Sequence, residues 1–206
     1  MSDIVERGQL RRIVLIVALL NFAYFFVEFG VAVTISSVSL MADSVDFLED
    51  TAVNLLIFMA LGWAARSRAI AGKVAAVIIL VPALVAGWQA IDKAFDPVAP
   101  EPASLILAAS GAAVVNVVCA WLLVRVRRHA GSLGAAAFLA ARNDVLINLA
   151  IIAMGLLTWA TMSGWPDIIL GVIIIALNLT AAKEVWEVAE EEELAAKALA
   201  GEDIDD

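Results

Sequence analysis

Apolar positions along this chain run in long blocks, roughly 13–35, 38–63, 72–95, 103–124, 133–159 and 164–182, with no sustained two-residue alternation. Each block is close to or longer than the about 20 residues an α-helix needs to cross bilayer hydrocarbon. The pattern predicts an all-α integral membrane protein, a six-transmembrane-helix bundle. Its polar punctuation is asymmetric. Arg7, Arg11 and Arg12 precede the first block, Arg66, Arg68 and Lys73 lie around the second junction, Arg125, Arg127 and Arg128 lie around the fourth, and Lys183 follows the sixth. Only Lys93 stands at the opposite ends. Cytoplasmic loops accumulate Lys and Arg, so both termini are expected in the cytoplasm. The expected organisation is a cytoplasmic N-terminal segment at 1–12, a transmembrane domain at 13–183 and an acidic cytoplasmic tail at 184–206. The first block is too long for a signal-peptide core and no small-residue cleavage pattern follows it, so it reads as a retained helix.

Composition sharpens this picture. Of 206 residues 63% are hydrophobic, and mean hydropathy is +0.95, which excludes a soluble enzyme, a nucleic-acid module or a disordered chain. The expected location is the cell membrane, cytoplasmic or inner, as a multi-pass protein with lipid as a partner and no nucleic acid. Cys119 is the lone cysteine, so neither an intrachain disulfide nor a thiolate metal cluster can form. The net charge of −9 is misleading, because from Glu184 onward ten acids face Lys197 alone and the rest of the chain is neutral. The run Glu190 to Glu193 reads as a solvated helix extension, and His129 as an exposed loop residue. Trp63, Trp159 and Trp165 fall near span ends, as interfacial anchors do. Gly134 and the alanines at 135–137 favour close packing of the fifth helix.

Candidate chemistry enters with acids that composition alone would not place. Glu28, Asp43, Asp46, Glu49, Asp50 and Asp144 fall within predicted spans, with Arg142 beside them. An ionised side chain at the bilayer centre costs several kcal/mol, so this excess calls for bound cations, bound protons or a wet cavity. At 100° per residue Asp43, Asp46 and Asp50 share a sector of about 60°, while Glu49 is turned away. Asp46, Asp50 and Asn54 make an i, i+4, i+8 stripe on the second helix, and Ala140, Asp144 and Asn148 make the same stripe on the fifth. At 1.5 Å per residue, Asp50 lies about 18 Å from the outer end of its span and Asp144 about 16 Å from the inner end of its own. Both sit near mid-membrane and can meet if the two helices are neighbours. Two carboxylates about 4 Å apart repel by about 4 kcal/mol at an effective dielectric near 20. A divalent cation or protons must relieve that repulsion, and the two compete for the same oxygens. Asn21 and Glu28, seven apart on one helical face, line with Asp43 a candidate ion or proton route to the outer side. Arg142 points away from Asp144 at a depth that allows a structural pair with Glu49, the alternative being an Arg that snorkels to the interface.

The segments that carry these residues resemble the cation diffusion facilitator family of divalent-metal/proton antiporters. Residues 21–28 read NFAYFFVE and residues 39–50 read SLMADSVDFLED, similar to the first two helices of that family. WQAIDKAFDP at 88–97, GAAVVN at 111–116 and AFLAARND at 137–144 follow in order. The resemblance implies a tetrahedral transport site between helices two and five. By position Asp46, Asp50 and Asp144 would be metal ligands, and Ala140 stands where the family supplies His or Asp. Alanine cannot ligate, so a fourth ligand must be water or a neighbouring amide, with Asn148 preferred over Asn54 and Asn143. The resemblance implies zinc first, whereas a carboxylate site without imidazole or thiolate favours harder ions such as manganese or iron(II); cobalt and cadmium complete the range. No prosthetic group is implied, the metal being cargo. The family's C-terminal cytoplasmic metal-binding domain is expected to be missing, and a homodimer would use the membrane helices or the tail.

The expected function is therefore a secondary transporter, not an enzyme, exporting a divalent metal from the cytoplasm in exchange for protons by alternating access. A transport-incompetent metal sensor or membrane scaffold is the alternative, because of Ala140. A magnesium-dependent membrane transferase fits less well, since the acid-dense stretch from Asp43 to Asp50 lacks the surrounding bases that a diphosphate needs.

Overall fold

The structure, a computed structural model, describes residues 2–60, 65–129 and 131–200, with side chains undescribed at some positions near these limits. The expectations attached to Trp63, Gly134, the alanines at 135 and 136, and His129 lie outside the described side chains. Among the described residues the chain is all-helical: α1 (Ser2–Ile35), α2 (Val38–Ala60), α3 (Ala65–Phe95), α4 (Pro102–His129), α5 (Gly131–Thr161) and α6 (Trp165–Ala200). The helices outrun the apolar blocks. α6 continues unbroken into the acidic stretch, so the first part of the expected tail extends that helix. Lys73 of α3 holds Glu193 near its end, and Lys183 pairs with Glu187 one turn on.

Five helices contain a stretch long and apolar enough to cross a membrane. The exception is α2, which carries Asp43, Asp46, Glu49 and Asp50. Its 23 residues span about 34 Å, sufficient length for a crossing. Its polarity is accommodated by enclosure. α2 touches all five other helices, and Leu55 is its one large apolar side chain described as exposed. Exposed Phe22, Phe26, Leu84, Trp88, Leu146 and Leu177 instead project from the surrounding helices, as an apolar solvent requires. Trp159 and Trp165 are also exposed, near the ends where anchors are expected.

Around α2 the packing divides into two parts. α1, α2, α4 and α5 close a four-helix ring through α1–α2, α1–α4, α4–α5 and α2–α5 contacts. α3 pairs with α6, and both lean on α2. Within the ring, apolar clusters occupy the two ends: Val14, Val17, Ile57, Leu123 and Ala141 at one, and Ala32, Leu40, Met41, Leu105 and Ile151 at the other. Asn21 and Glu28 of α1, Asp43 to Asn54 of α2, Asn116 of α4 and Asp144 and Asn148 of α5 fall between these clusters along their helices.

The α1–α2 junction shows how the central helix is anchored. α1 ends with Ser36 at φ 53°, and Ser37 N donates to Ala32 O at 2.9 Å, a left-handed C-terminal turn. Ser37 then caps α2, its Oγ accepting from Leu40 N at 3.2 Å. The remaining free amides at this end, Val38 N and Ser39 N, donate to Asp167 of α6 at 2.9 and 3.1 Å. Asp167 also accepts from Ser37 Oγ and Ser39 Oγ, each at 2.6 Å, and from Lys93 Nζ of α3 at 2.9 Å. Lys93 Nζ additionally donates to Ser36 O. Both charged groups are buried. Gly171 makes this approach possible, because a Cβ there would lie 2.5 Å from Val38 Cγ1 and 2.9 Å from Ser39 N. One turn further along α2, Asn178 Nδ2 of α6 donates to Ala42 O at 2.7 Å. At the start of α4, exposed Glu101 accepts from Ser104 N and Ala103 N, and these bonds hold its carboxyl below the usual range, Ser104 foremost.

Breaking a buried pair by removing one partner leaves an uncompensated charge and costs about 3–5 kcal/mol. Lys93→Met should therefore lower stability by that amount, read as a reduced unfolding midpoint in detergent. A midpoint matching the native chain would show that Asp167 does not need the ammonium.

Candidate functional site

α2 and α5, assumed neighbours in the sequence reading, are in contact, so the two stripes do share one interior. Asp50 is buried and accepts a hydrogen bond from Asn21 Nδ2 of α1 at 3.3 Å. Asn21 Oδ1 in turn faces Cys119 Sγ of α4 at 3.8 Å. Three helices are thus linked through one amide. Asn54 Nδ2 donates to Asp50 O at 2.7 Å, which leaves its buried Oδ1 without a partner. Asp46 has an unpartnered Oδ2 and lies within electrostatic range of Asp144, Asp43, Glu49 and Asp50. Asp144, half-buried, feels the charges of Asp50, Asp43 and Glu49. Asp46, Asp50 and Asp144 therefore occupy one electrostatic neighbourhood fed by two helices.

Proximity is not convergence. Among the described residues no three acids, cysteines or histidines close on a common point as a metal ion would require. Asp50 turns towards Asn21, and Ala140 supplies no donor in the turn before Asp144. The acids gain no described ion-pair partner either. The described pairs involve Lys73, Lys93, Lys183 and Lys197, none of them with these carboxylates.

The other expected residues divide clearly. Asn148 is fully buried and donates through Nδ2 to Asp144 O at 2.9 Å, while its Oδ1 has no partner. Glu28 and Asp43 are buried within hydrogen-bond reach of each other, yet none of their four carboxylate oxygens has a donor. Asn143 is exposed, and Arg142 Nη2 approaches its Oδ1 at 3.5 Å. No described ion pair joins Arg142 to Glu49. Arg142 is exposed on the outer side of α5, as expected of an arginine that extends away from the apolar interior.

Four polar contributors escaped the sequence reading as parts of this interior. Cys119 faces it from α4, where Asn116 is buried as well, Asn178 braces α2 from α6, and Asp167 caps α2. Asn116 and Asn178 each interrupt an apolar block, which is a visible signal. Asp167 looks like an ordinary helix-start acid after Trp165-Pro166, and only its burial reveals more.

Asn21→Ala removes the donor that Asp50 has in this arrangement. Leaving a buried acceptor unsatisfied costs about 1–3 kcal/mol, so the variant should melt earlier in detergent. An unaltered melt would mean that α1 does not hold Asp50.

Residues 14–191 match the family model described as the cation efflux transmembrane domain. A comparison with curated proteins gives no match.

Proposed function

We propose that this chain, which belongs to the cation efflux, or cation diffusion facilitator, family, exports a divalent metal from the cytoplasm in exchange for protons. Membership makes it a multi-pass membrane protein and a cation transporter. The finer reading adds six crossings, with α2 as the enclosed one, cytoplasmic termini, and Asp46, Asp50 and Asp144 as metal ligands. Asn148 or Asn54 completes the donor set. The observation that carries this reading is the packing of α2 against α5, with buried Asp43 and Asp50 on α2, half-buried Asp144 on α5 and no described cation paired to them. Such a charge excess is stable in an apolar interior only when a cation or protons neutralise it. Metal and protons need the same oxygens, so loading one displaces the other.

The donors do not yet converge, so binding requires the α2 and α5 carboxylates to close around the ion. A cycle that alternates between open and closed arrangements supplies that motion. Oxygen donors favour manganese and iron(II) chemically, while the family resemblance puts zinc first. Asn21, Glu28 and Asp43 extend the polar path towards the α1–α2 turn. A homodimer through the membrane helices is part of the same reading.

Purified protein in liposomes with an encapsulated metal-sensitive dye tests it. Saturable uptake of zinc or manganese should be accompanied by opposite proton movement. Asp50→Asn and Asp144→Asn should each reduce uptake by about 100-fold or more, and unaffected uptake would remove these residues from the transport site. Such a loss corresponds to about 2.7 kcal/mol of lost stabilisation. Ala140→His adds an imidazole at the position one turn before Asp144, and zinc uptake should rise relative to manganese. An unchanged metal ratio would show that residue 140 does not set selectivity.

A further inference from the structure

We propose that Arg142 and Asn143 dock the headgroup of an anionic phospholipid, drawn inward along the lipid-facing side of α5. The site goes beyond metal transport and needs only that α5 crosses the membrane. Arg142 lies within Ala137–Thr161, a stretch long and apolar enough for a crossing. The apolar block begins near residue 133, which places Arg142 about 14 Å deep. Arg142 and Asn143 are both exposed, and so are Leu139, Leu146 and Leu149. At 100° per residue these five occupy one sector of about 120°. A guanidinium therefore stands on a stripe whose other large side chains are leucines.

A cation in that position needs an anion, and the described residues offer none. The described polar contact of Arg142 is a loose one, from Nη2 to Asn143 Oδ1 at 3.5 Å, and the described ion pairs do not include it. Asp144, two residues on, is turned about 160° away. Charge along the chain deepens the imbalance. From Pro102 to Asn143 the sequence contains Arg125, Arg127, Arg128 and Arg142 but no aspartate or glutamate. α4 and α5 pack along each other, so the end at which this hairpin turns carries positive charge without an acid of its own. On the α6 extension, Glu193 holds Lys73 and Glu187 pairs with Lys183.

Charge complementarity and depth together select a lipid phosphate. Side chains on a helix lean towards its N-terminus, so the Arg142 stem heads for the leaflet at the start of α5. Snorkelling closes part of the distance, and a headgroup drawn inward closes the remainder. The planar guanidinium can take two phosphate oxygens at once. Asn143 Nδ2, for which no acceptor is described, adds a neutral donor beside it. A headgroup with net negative charge, such as phosphatidylglycerol, cancels the arginine. In phosphatidylcholine the choline already neutralises the phosphate.

The test uses the full chain, delipidated in detergent micelles and titrated with phosphatidylglycerol or phosphatidylcholine, with bound lipid counted by native mass spectrometry. The native chain should take its first phosphatidylglycerol about fivefold more tightly than phosphatidylcholine. Phosphatidylglycerol should also raise its melting midpoint, as any ligand of the folded state does. In Arg142→Gln the preference should fall below about twofold, while the lipid-free midpoint stays unchanged because the exposed side chain packs no core. Arg142→Lys should keep an intermediate preference, since a point charge replaces the fork. Adding Leu139→Arg to Arg142→Gln returns a guanidinium to the same face one turn nearer the leaflet and should restore binding, a gain that a misfolded chain would not show. A preference that persists undiminished in Arg142→Gln would assign the lipid to the arginines at 125–128 and overturn the site. Equal affinity of the native chain for both lipids would overturn it as well. Neither result bears on metal transport, which uptake into liposomes tests separately.

Discussion

The architecture depends on carrying Asp43, Asp46, Glu49 and Asp50 on one helix through the interior of an otherwise apolar bundle. A helix with that sequence cannot face lipid, because each ionised group there lacks water and a counter-charge. α2 therefore occupies the position that contacts all five other helices, with Leu55 its one large apolar side chain described as exposed. Enclosure by all five other helices leaves the lipid-facing work to α1, α3, α4, α5 and α6, whose exposed Phe, Leu and Trp side chains show the complementary pattern. The amides Asn21, Asn54, Asn116, Asn148 and Asn178 follow from the same constraint. Each is buried; Asn21 donates to the Asp50 carboxylate, and Asn54, Asn148 and Asn178 donate to helix carbonyls.

Enclosure makes the placement of α2 exacting, and two different interactions control it. At its start, Asp167 gathers two backbone amides and two serine hydroxyls under Lys93. This binds α2 to the α3–α6 pair by charge-assisted hydrogen bonds in a dry setting. Along its middle, α2 meets α1 and α5 through acids and amides whose oxygens are only partly satisfied. One end is thus over-determined and the centre is under-determined. That contrast suits a transporter of the cation efflux family, through which a charged guest must pass while the fold survives.

The family resemblance and the local geometry carry different parts of the reading. Membership rests on a match over residues 14–191 and makes this a cation transporter. It does not make Asp46, Asp50 and Asp144 a preformed cage, and among the described residues the donors stay apart.

Much of this protein was legible in the linear chain because lipid imposes a one-dimensional rule. Block length and hydropathy foretold an all-helical chain, and charged residues inside apolar blocks singled out Glu28, Asp43, Asp46, Asp50 and Asp144 as the chemistry to explain. The 100° helical step grouped Asp43, Asp46 and Asp50 on one face. What tertiary structure alone decided is who meets whom. The junction of Lys93 with Asp167, the reach of Asn21 to Asp50, and the failure of Arg142 to meet Glu49 all join residues from different helices. Helical periodicity fixes the angle of a side chain about its own axis, but leaves free the rotation and neighbours of that axis. Those are set by packing, where Gly171 lets α6 touch the backbone of α2 and a buried aspartate finds its amides only once the helices have assembled.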